Sequence, residues 1–316
     1  MSPIGTPLLW VGFLLLILSL LALDLAVFHR KPRPERLRAA LLWTLVWIGL
    51  ALLFNLGLYL HFGSQKALEF LTGYVIEKAL SVDNVFVFAV IFSYFAVPPA
   101  LQHRVLFWGI LGALLLRALF IVAGAALLSA FHWFVYVFGG VLLLTSLKLL
   151  RHRHALVEPE RNPLVRLFRR FLPIAAAHRG VRFFVIEAGR RCATPLLLAL
   201  VAVEASDIVF AIDSIPVIFA VTQDPFIVFT SNIFALLGLR ALYSVLLGAL
   251  GKLRYLHVGL ALVLAFVGAK MLLSGVLKVP IGISLAVVGA LLGAAIAASL
   301  ARRPGAPKRA PAELLP

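Results

Sequence analysis

The chain is written as long apolar runs separated by short polar ones. A bilayer core of ~30 Å is crossed by ~20 apolar residues in a helix. On that measure the runs predict nine membrane-spanning helices, at 7–28, 39–60, 67–96, 104–128, 133–150, 193–219, 225–247, 255–274 and 280–300. A segment in lipid must satisfy its own backbone polar groups, so such runs are read as helices and the fold class as all-α integral membrane. The first run is too long for a signal peptide and has neither a basic leading region nor a small-residue cleavage site, so it is expected to remain as a helix.

Composition agrees with this reading. Hydrophobic residues make up 63% of the 316 and charged residues 13%, where a soluble domain is about a quarter charged. A soluble enzyme, a disordered chain and a fibrous protein are thereby excluded. The single cysteine excludes a disulfide framework or a cysteine-based metal site. A net charge of +16 would suggest nucleic acid as a partner in a soluble protein. Here the basic residues fall between the apolar runs, where they report topology instead, and no nucleic acid is expected. With the N-terminus outside, 23 of the 29 Lys and Arg lie on the inner side. The outer loops carry only Lys66 and Lys278, and Lys78, Arg117, Arg240 and Lys270 lie in spans. That bias predicts an N-out, C-in chain with an odd number of spans.

Residues 151–192 form the one sizeable loop. Leu164, Leu167, Phe168, Phe171 and Leu172 recur at helical spacing with Arg166, Arg169 and Arg170 between them. This predicts a basic amphipathic helix, either resting on anionic inner-leaflet lipid through 164–172 or packed on the helical core. The Pro-rich tail, 302–316, is expected to be disordered.

The chain repeats itself. Laying Asp83 on Asp207 places Asp83-Asn84-Val85-Phe86 over Asp207-Ile208-Val209-Phe210, "LRALF" at 116–120 over "LRALY" at 239–243, and Lys148 over Lys270. The Asp-to-Arg spacings are 34 and 33, and the Arg-to-Lys spacings 31 and 30. Each unit holds three spans. Three is odd, so the second unit enters from the opposite side, giving a 3+3 inverted-topology repeat of the kind found in secondary transporters. The expected organisation is two N-terminal peripheral helices (1–66), the first repeat (67–150), a basic connector (151–192), the second repeat (193–274), a ninth helix (275–301) and the tail.

Charges inside the spans carry the candidate chemistry. Span three holds Glu77, Lys78 and Asp83, and span six holds Glu204, Asp207 and Asp213. A charge at mid-bilayer costs about 2.5–3.5 kcal/mol even on insertion scales, so five carboxylates must face protein, water or a cation. Glu77, Ser81 and Asn84 share one helix face, with Asp83 beside it, and Glu204, Asp207 and Ser214 share another. Asp213 points elsewhere on an ideal helix, but Pro216 removes a backbone hydrogen bond, and a kink there is expected to turn Asp213 inward. The resulting ligand set, Glu77, Asp83, Asn84, Glu204, Asp207 and Asp213, is all oxygen and therefore hard, suited to Mn²⁺, Mg²⁺ or Ca²⁺. Histidines do not contribute. His61, His103, His132, His152 and His154 lie in loops or at span ends, and no pair within a span has ligand spacing.

The competing reading is ion pairing of these acids with Lys78, Arg117, Arg240 and Lys270. Lys148 and Lys270 sit near span ends and can snorkel. Arg117 and Arg240 are deeper, where they would pair with Asp83 and Asp207 or gate the site. Asn232 reads equally as helix–helix glue or as site lining. Asp24, beside the basic "FHRK", reads as a salt bridge at the membrane surface.

Several blocks resemble the TerC family of integral membrane proteins over roughly 15–275. They are "LDLAVFHRK" at 23–31, "EKALSVDNVFVFAVIFSYFAVP" at 77–98, "RVLFWGILGALLLRALFI" at 104–121 and the long block 193–243 that contains "VEASDIVFAIDSIPV". The family is similar in architecture to LysE-type transporters. The resemblance implies manganese efflux and metal homeostasis, with Glu77, Asp83 and Asn84 of the first motif and Glu204, Asp207, Asp213 and Ser214 of the second forming the ion site. Ser244 stands where the family usually has an aromatic residue, and the connector matches poorly. The function expected is therefore a secondary transporter, located in the bacterial cytoplasmic membrane, that exports a hard divalent cation against the potential with protons as coupling ion. The alternative is a membrane assembly or insertion factor, or a metal-delivery partner of the secretion machinery, docking through the connector. An intramembrane hydrolase lacks its motifs, neither Gly-x-Gly-Asp nor Gly-x-Ser-Gly being present, and no cofactor is expected beyond the transported ion.

Overall fold

The computed structural model describes residues 4–28, 37–131, 133–151, 163–171, 173–175, 180–187, 190–247, 255–276 and 279–301. The side chains of residues 24–28, 83, 86, 163, 164, 169, 171 and 247 lie outside that description, and with them the expected roles of Asp24 and Asp83. The tail expected to be disordered, 302–316, lies outside it as well.

The described chain is helical apart from one hairpin. The helices are α1 (Pro7–Phe28), α2 (Leu37–Tyr94), α3 (Pro99–Ala130), α4 (Phe134–Arg151), α5 (Pro163–Phe171), α6 (Pro195–Phe219), α7 (Pro225–Leu237), α8 (Leu239–Leu247), α9 (Leu256–Leu272) and α10 (Ile281–Ala301). Between α5 and α6 run the antiparallel strands β1 (Phe184–Glu187) and β2 (Arg190–Ala193). Among the described residues five helices, α2, α3, α4, α6 and α10, are long and apolar enough to cross a membrane, and the α7–α8 pair makes a sixth. Proline opens α3, α6 and α7, where its missing N–H is one that the first turn leaves unpaired anyway. Asp224 caps α7 by accepting from the Phe226 N–H at 3.1 Å.

The two spans expected at 39–60 and 67–96 are the two rods of α2, which meet at a kink at Gly63, whose φ of 84° is open to glycine and costly for other residues. Three other local features differ from the sequence reading. Span seven is broken at Gly238, where α7 and α8 meet at 43°. The kink expected at Pro216 does not end α6, which continues to Phe219. The connector also holds a hairpin that the sequence reading did not foresee.

Packing rests on close approach. Lipid tails are as apolar as Leu, so helices gain little by burying apolar surface against one another. Dispersion between tightly fitted backbones takes over, and it favours small residues. Gly139 of α4 and Gly268 of α9 face each other so closely that a Cβ on Gly268 would lie 2.9 Å from the Gly139 carbonyl oxygen. About two turns along the same crossing, Ser146 Oγ donates to the Ala261 carbonyl at 2.7 Å. A second zone is aromatic: Phe13 of α1, Phe54 and Phe70 of α2, and Phe226, Phe229 and Phe234 of α7 make ring contacts at centroid distances of 5.0–6.0 Å. These contacts tie α1 and both rods of α2 to α7.

Helix α5 packs on α6 rather than standing clear of it. Val165 is fully buried among α3 and α6 side chains and Phe168 partly so, while Leu167 points outward. Of the expected apolar face, Phe168 packs inward and Leu167 does not, Leu164, Phe171 and Leu172 lie outside the described side chains, and Val165, absent from that face, adds a buried contact.

Candidate functional site

Four helices deliver charged or amide side chains to one buried point. Arg117 sits two-thirds of the way along α3 and is fully buried. Its Nη1 donates to Glu77 Oε1 on α2 and to Asn232 Oδ1 on α7, and its Nη2 donates to Asp207 Oδ1 on α6 at 3.2 Å. Glu77 is 0% exposed and Asp207 2%. A buried guanidinium with two carboxylates is stable only when every partner is engaged, because each ion has lost its hydration.

The engagement is incomplete. Glu77 Oε2, Asp207 Oδ2, Asn232 Nδ2 and Arg117 Nε are buried without a hydrogen-bond partner. Glu204 adds a third carboxylate, with Oε2 likewise unpartnered, and Ser214 Oγ is in the same condition. Glu204 reaches α6's neighbour α3 at Gly112, where an added Cβ would fall 2.0 Å from Oε1. Gly112 is thus the residue that admits this carboxylate.

The remaining residues of the expected site are distributed as follows. Ser81 spends its hydroxyl on the Glu77 carbonyl at 2.7 Å, within its own helix. Asn84 is buried on the same face of α2. Asp213 accepts from Thr145 Oγ1 of α4 at 3.1 Å and does not join Arg117. The reason is geometric. Since α6 stays helical through Pro216, six residues at ~100° each leave Asp213 about 120° away from Asp207 around the axis. Arg240 is buried in α8. Lys78 Nζ donates to the Ala235 carbonyl of α7 at 3.2 Å, and Lys270 Nζ to Ser284 Oγ of α10 at 3.0 Å. Arg117 pairs with Glu77 and Asp207 together, while an expected pairing with Asp83 falls on a side chain outside the described residues. Among the described residues no three His, Cys, Asp or Glu side chains converge as a ready metal cage; the guanidinium stands at the centre instead.

Sequence reasoning missed a second polar cluster. Lys66 of α2 bridges Glu69 at 3.1 Å and Asp224 at 3.0 Å, Thr222 Oγ1 donates to Glu69 Oε2 at 2.6 Å, and Asp224 Oδ2 accepts from the Ile4 N–H at 2.9 Å. This clasp joins the start of the second α2 rod to the α6–α7 turn and to the N-terminal segment. The Asp224-Pro225 pair, a helix-start signal, could have drawn attention to one half of it.

The model of the Integral membrane protein TerC family matches residues 62–305. An "Uncharacterized membrane protein STKORF319" of Myxococcus xanthus is 55% identical over 96% of this chain and 95% of its own length. Proteins named "Putative membrane-bound redox modulator Alx" are similar as well. That of Photorhabdus laumondii is 47% identical and that of Escherichia coli K12 46%, each over 92% of this chain and 94% of the relative. No solved structure matches.

Proposed function

The chain belongs to the integral membrane protein TerC family, and on that premise we propose that it is a secondary transporter that exports a hard divalent cation, Mn²⁺ foremost. The observation that carries the reading is the buried point where Glu77 and Asp207 share one guanidinium and each keep a carboxylate oxygen unpartnered, with Glu204, its Oε2 unpartnered too, one turn before Asp207 on α6. Carboxylate and amide oxygens suit a hard dication, which would bring the charge that the three acids lack. Arg117 acts as a tethered cation. It holds Glu77 and Asp207 together in this conformation and yields them when the dication arrives from the inner side. Rocking of the bundle then exposes the loaded acids to the other side, where protons discharge the ion. Exit against an inside-negative potential costs about 2.3 kcal/mol per charge per 100 mV, so inward protons are the natural coupling ion.

The architecture we propose is the nine-span, N-out, C-in inverted repeat. The α4–α9 crossing supports it. In the register that lays Lys148 on Lys270, residue 139 corresponds to 261 and residue 146 to 268. The two contacts, Gly139 with Gly268 and Ser146 with Ala261, therefore exchange into one another. Two copies related by an in-plane two-fold axis would cross in this antiparallel way.

The name borne by the Alx relatives favours no thiol chemistry in this chain. Its one cysteine, Cys192, is buried in β2, and a dithiol exchange needs two.

The test is radioactive Mn²⁺ efflux from loaded proteoliposomes, with and without a pH gradient. Asp207→Asn and Glu77→Gln are expected to abolish efflux while the protein still elutes as a monodisperse species from the detergent column. Efflux at the parental rate in both variants would overturn the proposal.

A further inference from the structure

Strands β1 and β2 pair Phe184 with Ala193, Val185 with Cys192, Ile186 with Arg191 and Glu187 with Arg190. Directly opposed residues share a face of the ribbon. Val185 and Cys192 therefore lie on one face, with Cys192 buried against the bundle. Glu187 and Arg190, at the turn, share that face; Phe184, Ile186, Arg191 and Ala193 lie on the other, where Ala193, at the α6 end, is buried. That second face is turned outward: Phe184 is 51% exposed and Ile186 74%. Two large apolar side chains on an exposed two-stranded ribbon are a liability in water and call for a cover.

Three observations say what the cover is. First, β2 ends at Ala193 and α6, a membrane-crossing helix that is apolar from Leu196 onward, begins at Pro195. Two residues of chain are too short to carry the ribbon away from the bilayer surface. Second, the ribbon is basic. Arg182, Arg190 and Arg191 are exposed on it and Arg170 on the neighbouring α5, with Glu187 as the one acid among the described residues of these elements. Third, α5 turns Leu167 outward, 49% exposed, on the same connector. Apolar side chains next to arginines at the bilayer boundary are what an interfacial element uses to sink its apolar part among acyl chains while holding anionic headgroups.

We propose that the β1–β2 hairpin is a membrane-surface anchor: Phe184 and Ile186 insert into the leaflet at the N-terminal end of α6, and Arg191 on that face, flanked by the exposed Arg182 and Arg190, selects anionic phospholipid there. This goes beyond the transport reading, resting on the membrane location alone, and is tested without any measurement of flux. Anchoring at this point would fix the entry of α6, the helix that carries Glu204 and Asp207.

The test places the full-length chain carrying Ile186→Trp in nanodiscs that contain brominated phosphatidylglycerol or, at equal bromine content, brominated phosphatidylcholine. The emission of the five native tryptophans is subtracted using the parent. Ile186 is exposed, so the substitution removes no buried contact. The added fluorescence is expected to be quenched by both lipids, about twofold more by phosphatidylglycerol, and Arg190→Gln with Arg191→Gln is expected to equalise the two. No quenching by either lipid means the face looks away from the membrane, toward water or a protein partner, and overturns the proposal. Equal quenching in the parent would overturn the selection of anionic lipid.

Discussion

Replacing Arg117 with alanine separates a cation site from a purely structural ion pair. The guanidinium makes three bonds, to Glu77, Asn232 and Asp207, and among the described residues none of the three partners has another bonded cation. Removing it leaves two carboxylates, 0% and 2% exposed, facing each other without a counter-charge. Loss of one member of a buried pair costs about 3–5 kcal/mol, so Arg117→Ala is expected to unfold at markedly lower temperature in detergent. The two readings then diverge. If Glu77, Asp207 and Glu204 bind a dication in competition with Arg117, Mn²⁺ takes the place of the lost guanidinium and stabilises the variant. A ligand at 100 times its Kd adds about 2.7 kcal/mol, which would recover most of the loss. The parent, whose acids are already occupied by Arg117, is expected to gain less from the same Mn²⁺. Na⁺ at matched ionic strength should restore neither. The assay is thermal unfolding followed by tryptophan emission, with a Mn²⁺ titration from micromolar to millimolar. An Arg117→Ala variant as stable as the parent would refute the assignment of that cost. A destabilised variant that Mn²⁺ does not rescue would refute the tethered-cation role and leave a structural pair.

Two further outcomes follow from close approaches in the bundle. Gly112→Ala would put a methyl group 2.0 Å from the Glu204 carboxylate and force it off α3; Mn²⁺ efflux is expected to fall at least tenfold, with a stability loss of about 1–3 kcal/mol, and unchanged efflux would show that Glu204 takes no part in transport. Gly268→Leu meets the Gly139 backbone, which has no rotamer to yield, so α4 and α9 must separate. A loss of about 1–3 kcal/mol or more is expected in the same unfolding assay, and a variant as stable as the parent would show that the crossing is loose.

Much of the candidate site was legible residue by residue. Glu77, Asp207, Arg117 and Asn232 were all marked as charged or amide groups inside apolar runs, and the structure brings those four together. What could not be read was who meets whom. Arg117 and Arg240 were expected to pair with Asp83 and Asp207 or to gate the site; Arg117 does meet Asp207, and with it Glu77, 90 and 40 residues away. Asp213 was expected to turn inward and instead meets Thr145. A helical wheel states the direction of a side chain about its own axis and says nothing of which helix stands on that side.

The sequence by itself determined where the helices run and which residues carry charge into lipid. Both are local properties, because a segment in a bilayer must satisfy its backbone alone and each intramembrane charge is conspicuous against an apolar run. The bend at Gly238, the hairpin in the connector, the clasp of Lys66 on Glu69 and Asp224, and the capture of two acids by one arginine were decided only by the tertiary structure. Each depends on how closely two separate segments approach, and that distance is set by small residues such as Gly112, Gly139 and Gly268 acting across helix pairs, where no periodicity within a single segment records it.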